Sequence, residues 1–318
     1  MTIQGLHHIT LICADAQRTV DFYARVLGQR FVKKTVNFDD PGSYHLYFGD
    51  ELGRPGTAIT FFEWPGATPG NPGIGGTHHF ALTVADYAGL VQWKRHLQDL
   101  GIPAQGPYRR ENFVSIAFND PDGTNLEITA LAAGDANPTD LSPSPVPEIT
   151  PAMALDHGMH HITAISSNLE RTHEFFGGLL GLQVDRAEAK QWSWRAGEAY
   201  VSYVERDPRA EPRTRFGAGQ THHFAFAVAD EKTQLEWREK LTSAGLGVTP
   251  VMDRIYFKSI YTNDPDGHIV ELATAGPGFA FDEAQSELGT HLRLPPWLEN
   301  NRAAIEAHLS PINMDVGS

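Results

Sequence analysis

The sequence predicts an α+β protein built from four related units, each an apolar strand, a helical segment and then further strands. Three observations carry this. HHITLICADAQRTVDFYARVLG (7–28) matches HHITAISSNLERTHEFFGGLLG (160–181). THHFALTVAD (77–86) matches THHFAFAVAD (221–230), and VSIAFNDPDGTNLEITA (114–130) matches KSIYTNDPDGHIVELAT (258–274). A histidine doublet opens all four repeated strands, at 7–8, 78–79, 160–161 and 222–223. Self-similarity of this kind decides architecture before any single residue does. It places the units at roughly 5–66, 75–132, 157–207 and 219–276.

Each element has a local reason. The opening strands are apolar runs. The segment after the first one carries Val20, Tyr23, Val26 and Leu27 at helical spacing. Gly28 stands where a helix C-cap is expected. NDPDG at 119–123 and 263–267 is a turn signal between strands. The Pro-rich piece ANPTDLSPSPVPEITPA (136–152) reads as a linker between an N-terminal half (1–135) and a C-terminal half (153–280). Residues 281–318 form an extension in which PPWLENNRAAIEAHLS (295–310) predicts a helix, prolines at its start and Ile305 and Leu309 on a docking face.

Composition bounds the function. The chain has 318 residues, 41% hydrophobic and 20% charged, with a net charge of −14. That charge, with no long basic run, argues against nucleic acid or an anionic membrane as partner. The single cysteine, Cys13, permits no intramolecular disulfide and reads as a small buried apolar residue. No apolar run is long enough to span a membrane. The start MTIQGLHHIT has neither a basic region nor an apolar core of a secretory signal, so a cytoplasmic protein is expected.

The doublets carry the chemistry. On a strand, neighbours face opposite sides. His223 then shares a face with Ala225 and Ala227, a face with room in front of it. His222 falls with Phe224, Phe226 and Val228, toward packing or the edge of the space. The same parity puts His8 with Thr10, His79 with Ala81, and His161 with Thr163. Glu127 and Glu271 each interrupt an apolar closing strand, which is costly unless the carboxylate is paired, protonated or bound to metal. Two imidazoles and one carboxylate suit Fe(II) or a similar divalent ion and leave positions open for substrate and oxygen.

With its histidine-opened strands, helical segments and NDPDG…E endings, nearly the whole chain resembles the vicinal oxygen chelate superfamily. That superfamily includes glyoxalase I, bleomycin-resistance proteins and extradiol dioxygenases. VKKTVNFDDPGSYHLYFGDELGRPGT (32–57) and LGTHLRLPP (288–296) are similar to its hydroquinone-type ring-cleaving dioxygenases. The resemblance implies four βαβββ units forming two mixed-sheet cups. In those dioxygenases the first and fourth units share the active cup, which implies His8, His223 and Glu271 as metal ligands. His79, Glu127 and His161 then form a second candidate set. Pairing within each half would instead give His8/His79/Glu127 and His161/His223/Glu271.

One difference separates the halves. Tyr261 stands where the first half has Ala117, and in the resemblance this tyrosine lines the active site. Arg254 matches an active-site arginine, and Arg110 is its counterpart. The cup with Glu271 is therefore the expected catalytic one. The implied activity is that of a non-haem Fe(II) (or Mn(II)) extradiol-type dioxygenase, with a small hydroquinone- or catechol-type aromatic and O2 as its reactants. Tyr261 is the expected proton donor and Arg254 its support or a substrate guide. His7, Thr10 and His222 are expected to stand behind the ligands. His45 is placed at the border of the cup and His268 on the surface. A homo-oligomer is expected. Two alternatives stand beside this reading: a glyoxalase-like isomerase or lyase, which usually wants a second carboxylate at its metal, and a metal-free aromatic-binding protein, which usually lacks the ligands.

Overall fold

The structure is a computed structural model that describes residues 1–110, 112–131, 148–155 and 157–313. The first unit contains β1 (Gly5–Cys13), α1 (Ala16–Val20), β2 (Arg30–Asn37), β3 (Asp40–Gly49) and β4 (Ala58–Glu63). The second contains β5 (Thr77–Val84), α2 (Tyr87–Asp99), β6 (Gln105–Arg109), β7 (Phe113–Asn119) and β8 (Asn125–Leu131). The third contains β9 (Met159–Ser166), α3 (Leu169–His173), β10 (Gln183–Glu188), β11 (Gln191–Ala196) and β12 (Ala199–Glu205). The fourth contains β13 (Thr221–Val228), α4 (Glu231–Ser243), β14 (Met252–Asp253), β15 (Lys258–Asn263) and β16 (Ile269–Thr274). A last helix, α5 (Arg302–His308), lies in the C-terminal extension.

The units join across the halves. One eight-stranded sheet has the order β14-β15-β16-β13-β1-β4-β3-β2, so the first and fourth units share it. The other runs β10-β11-β12-β9-β5-β8-β7-β6 and joins the third unit to the second. At each seam the two doublet strands pair antiparallel, β1 with β13 and β5 with β9. Most of the expected linker, its residues 136–147, lies outside the described residues. Within the part that is described, Ile149 is buried and Pro151–Met153 forms a short 3₁₀ turn.

The expected helices after β1 and β9 begin as α-helix and finish differently. Asp15 and Asn168 cap the two starts by accepting the backbone N–H of Arg18 and Arg171. After α1 and α3 the chain widens into π-helical turns, Asp21–Val26 and Glu174–Leu179. Gly28 and Gly181 follow with positive φ, where an L side chain would be strained. Phe224 and Phe226 pack on Phe176 of the second π segment, the helix-facing side that strand parity predicts.

The doublets do not obey strict alternation. Leu6 pairs with Phe226 and His8 with Ala225, so His7 is an extra residue on β1. Thr10 pairs with His223 and Leu11 with Thr221, so His222 is extra on β13. His78 and His160 are the extra residues at the other seam. Each first histidine is thus a β-bulge, which re-aims its side chain. The bulge decides between the two places that parity left for His222: its ring stands beside His223 and Phe62, at the edge of the space.

Two further expectations change. His268 is buried, not on the surface, because the 263–267 turn docks between units: its Nε2 lies 3.4 Å from the Thr77 hydroxyl and its ring 4.9 Å from Phe224. Burial, then the charge of His223, push its pKa down to about 3. In the unfolded chain it titrates near 6.5. Below that pH the unfolded state binds a proton that the folded state refuses until about pH 3. Its contribution to stability is therefore complete above 6.5 and lost as pH falls. Each such histidine adds a slope of about 1.4 kcal/mol per pH unit over that window. His268→Phe should flatten the pH dependence of chemical unfolding between pH 6 and 4 by about one proton. An unchanged slope would contradict the buried placement.

The alanine-lined face of β13 is also less empty than expected. Ala225 and Ala273 are covered by Tyr256, Phe257, Tyr47 and Phe279, a second apolar cluster. Phe279 comes from the stretch just before the C-terminal extension. The extension is tied down by Lys33, fully buried, whose ammonium meets Asp282 at 2.7 Å and Glu283. Ile305 and Leu309 of the last helical segment are buried as predicted, but α5 begins at Arg302, well after the prolines.

Candidate metal centre

Three side chains converge across the β1–β13 seam. His8 comes from the first strand, His223 from β13 and Glu271 from β16, whose register puts Glu271 beside Ala225. Nε2 of His223 lies 2.9 Å, and Nε2 of His8 3.3 Å, from Oε2 of Glu271. The two imidazole Nε2 atoms are 3.2 Å apart. All three residues are buried. Oε1 of Glu271 accepts from the Ser259 hydroxyl, whereas Oε2 makes no hydrogen bond. A buried carboxylate oxygen without a donor is costly, and one that faces two imidazole nitrogens fits a divalent cation. Burial alone pushes the Glu271 carboxyl up. The histidines facing it outweigh that and hold it well below the usual carboxylate range.

The hydrogen bonds behind His8 fix which of its nitrogens is free. His7 Nε2 meets the Thr274 carbonyl oxygen at 3.1 Å. A carbonyl only accepts, so that nitrogen carries hydrogen. Burial, then His8, push the His7 pKa down to about 3, so its ring is neutral and its Nδ1 holds a lone pair. The 2.9 Å Nδ1–Nδ1 contact must then be donated by His8. In the neutral ring that binds a metal, this puts the His8 lone pair on Nε2, the atom aimed at Glu271. The bulge that makes His7 an extra residue is what lets both rings meet. At His223 the same 2.8 Å contact comes from His222. Thr10 touches the site directly, its hydroxyl 2.9 Å from His223 Nε2 and 2.8 Å from the Thr60 hydroxyl.

This geometry predicts a measurable role for His7. His7→Phe keeps an apolar ring against Phe257, now 4.9 Å from His7, but removes the acceptor for His8. Metal affinity should fall about 10–100-fold, as is typical when the partner of a ligating histidine is lost. Equilibrium metal titration of the folded variant measures it; an unaltered affinity would contradict the tautomer assignment.

Around the convergence point stands a small wall of aromatic and polar groups. A cavity of about 20 Å³ is lined by His8, His223, His45, Tyr47, Tyr261 and Arg254, with Asn37, Phe38, Phe62 and Phe257 completing it. Tyr261 pairs with Glu271 on the sheet and its ring lies 5.6 Å from that of His223. Arg254 donates from Nε to the Tyr261 hydroxyl at 3.2 Å and from Nη1 to Asp39 at 3.1 Å. Burial, then the Glu271 charge, push the Tyr261 phenol well above its usual pKa of 10. His45 borders the site as expected, bonded to Thr60 at 3.0 Å and to the Tyr47 hydroxyl at 2.9 Å.

The second seam gathers His79, Glu127 and His161 in the same way. Here the carboxylate stands farther off, 3.9 Å from each imidazole. The adjoining cavity is larger, about 220 Å³. Size alone would choose this cup, but it holds no tyrosine at the Ala117 position and its carboxylate is already engaged by Arg110.

With both sites described, the comparison with known proteins is direct. Residues 5–128 and 158–272 each match the model of the Glyoxalase/Bleomycin resistance protein/Dioxygenase superfamily. The chain belongs to that superfamily. A protein of Bacillus subtilis (strain 168) named "Putative ring-cleaving dioxygenase MhqO" is 39% identical over 311 residues, spanning 98% of this chain and 97% of its own. The chlorohydroquinone/hydroquinone 1,2-dioxygenase of Sphingobium indicum is 33% identical over 311 residues, spanning 93% of each chain. A crystal structure from Bacillus subtilis subsp. subtilis str. 168, described as a "putative dioxygenase", superposes with a TM-score of 0.90 at 37% identity over 98% of both chains. The two curled eight-stranded sheets are the superfamily's paired cups.

As a member of this superfamily the chain brings together His8, His223, Glu271, Tyr261, Arg254, His7, Thr10 and His222 in one cup. His79, Glu127 and His161 form the other. The within-half pairing is not the one adopted. Sequence reasoning passed over Ser259, which holds Glu271, and Asp39, which holds Arg254. It also passed over Tyr47, Phe62 and Phe257 in the wall. For Ser259 a signal existed, since parity puts it on the face of Tyr261. Asp39 lies in a turn remote in sequence and gives none. Among the described residues no helix is long and apolar enough to cross a membrane.

Proposed function

We propose that the protein is a metal-dependent ring-cleaving dioxygenase acting on a hydroquinone-type aromatic, with the chemistry in the cup of His8, His223 and Glu271. The observation that carries the reading is the bare Oε2 of Glu271 facing two imidazole Nε2 atoms, with Tyr261 beside them. Similarity to relatives named as ring-cleaving and hydroquinone dioxygenases supports it. A glyoxalase-type reaction is disfavoured, because among the described residues the cluster contains a single carboxylate.

In this reading His8, His223 and Glu271 hold Fe(II), with Mn(II) as the alternative ion that such a donor set accepts. When bound, the ion supplies a site for an ionised ring hydroxyl and for O2, and a path for electrons between them. The net change breaks one ring C–C bond beside a hydroxylated carbon, extradiol-type, and puts both atoms of O2 into the product. One carbon ends as a carboxylic acid and its former neighbour as an aldehyde.

This chain's own groups do the rest. The Tyr261 phenol, kept protonated by its raised pKa, is a hydrogen-bond and proton donor next to the reacting carbons. Arg254 holds that hydroxyl in place while Asp39 holds Arg254. Phe62, Phe257 and Tyr47 supply apolar walls for a flat ring and exclude water. The cavity now has room for about one water, so the ring enters only as these walls part. His7 and His222 orient the ligands.

The test is anaerobic reconstitution with Fe(II), then oxygen uptake over a panel of hydroquinones and catechols. The expected result is about one O2 consumed per hydroquinone and a ring-opened acid, with no uptake by the metal-free protein. No uptake with any hydroquinone or catechol would defeat the reading.

A further inference from the structure

The two cups carry the same donor residues in different arrangements, and one residue pair accounts for it. In the second cup Arg110 clamps Glu127 with both terminal nitrogens, Nη1 to Oε2 at 3.1 Å and Nη2 to Oε1 at 2.8 Å. Nη1 also bonds to Ser115. Such a fork-to-fork pair is among the stronger polar contacts available to a carboxylate. It occupies both oxygens of Glu127 and draws them to 3.9 Å from His79 and His161. Meanwhile the imidazole Nε2 atoms of His79 and His161 stay 3.0 Å apart, close to the 3.2 Å of the first cup. The histidines are in place for a metal and the carboxylate is not.

The arginines start from equivalent positions. Arg110 N–H bonds to the Phe113 carbonyl and Arg254 N–H to the Phe257 carbonyl, the same loop in each unit. The strand registers are equivalent too: Ala117 pairs with Glu127 as Tyr261 pairs with Glu271. What differs is the side chain at that register position. Tyr261 offers Arg254 a ring 5.5 Å below its guanidinium and a hydroxyl for its Nε. Ala117 offers neither, so the guanidinium of Arg110 falls on the nearest acceptor, Glu127. Its charge then takes the place of a cation's, and a dication beside it would meet repulsion as well as a blocked ligand.

We propose that the second cup is a divalent-metal site held closed by Arg110, and that the residue at position 117 or 261 decides which cup is open. Tyr261 thus has a task besides any in catalysis: it keeps Arg254 off Glu271. This goes beyond the functional reading above and rests on it only for the ion expected in the wild-type first cup.

Binding of Mn(II) alone, counted from the EPR signal of the free ion during titration of metal-free protein, tests it. The wild type should bind about one ion per chain, lost in Glu271→Ala. Arg110→Met should gain about one more, lost again when Glu127→Ala is added. Ala117→Tyr, which leaves the arginine in place and gives it a new partner, should gain the same ion and covers the case of an Arg110→Met chain that does not fold. A wild type that already fills the Glu127 site would overturn the proposal. So would a folded Arg110→Met or Ala117→Tyr chain with no added ion. The second site is scored by its own ligand. A wild type that fails to bind at Glu271 would therefore refute the functional reading, while the gain and its Glu127 dependence would still support this proposal.

Discussion

Glu271→Ala is expected to leave a folded protein that neither holds metal in the first cup nor consumes oxygen with a hydroquinone. The carboxylate is the only anionic donor among the residues that converge there. Its loss leaves two imidazoles and no carboxylate, and the fall in metal affinity should exceed the roughly 10–100-fold that accompanies loss of a ligand's hydrogen-bonding partner. The fold should survive. The change removes a fully buried charge whose desolvation was unfavourable, and orphans the Ser259 hydroxyl that now donates to it, a cost of about 1–3 kcal/mol. Circular dichroism and thermal unfolding establish folding, and metal analysis and oxygen electrode readings establish the loss. Wild-type turnover in this variant would remove Glu271 from the site.

Tyr261→Phe is the second large effect, and it separates chemistry from metal binding. The ring remains against His223, now 5.6 Å away, and only the hydroxyl is removed. The ring also remains under the Arg254 guanidinium and keeps it from Glu271, so metal content should be unchanged. Proton donation from a positioned side chain contributes typically 10²–10⁴-fold, so kcat should fall by about that factor, with KM little altered. A residue that merely filled space would show the opposite pattern, a raised KM at unchanged kcat. Retained kcat in Tyr261→Phe would remove the hydroxyl from the chemistry and leave the tyrosine only its ring contact with Arg254.

Much of this was legible because repetition exposes what single strands hide. Matching HHIT, THHF and NDPDG segments mark the four units and their turns, and the Tyr261–Ala117 difference singles out one cup. What escaped was whatever depends on a partner strand. A bulge exists only against the strand opposite, so alternation alone left His222 between packing and the edge of the space and gave neither first histidine its ring contact with the ligand beside it. His268 looks like a turn residue and is buried because another unit's Thr77 and its own sheet's Phe224 close over it. The alanines of β13 suggest an open space, but Phe257, Tyr256 and Phe279 pack with Ala225 from segments distant in sequence. Arg110 and Arg254 sit in like surroundings in the sequence, and only the neighbours supplied by folding send one to a carboxylate and the other to a phenol.

The central claim is that residues from opposite ends of the chain, His8 on β1 and His223 and Glu271 in the last unit, make one metal site. Anomalous diffraction at the iron edge, from crystals grown anaerobically with Fe(II), tests it most directly. The account predicts a single strong peak per chain, bonded by Nε2 of His8, Nε2 of His223 and the Glu271 carboxylate. A peak only at His79, Glu127 and His161, or none in a protein that cleaves hydroquinone, would contradict it.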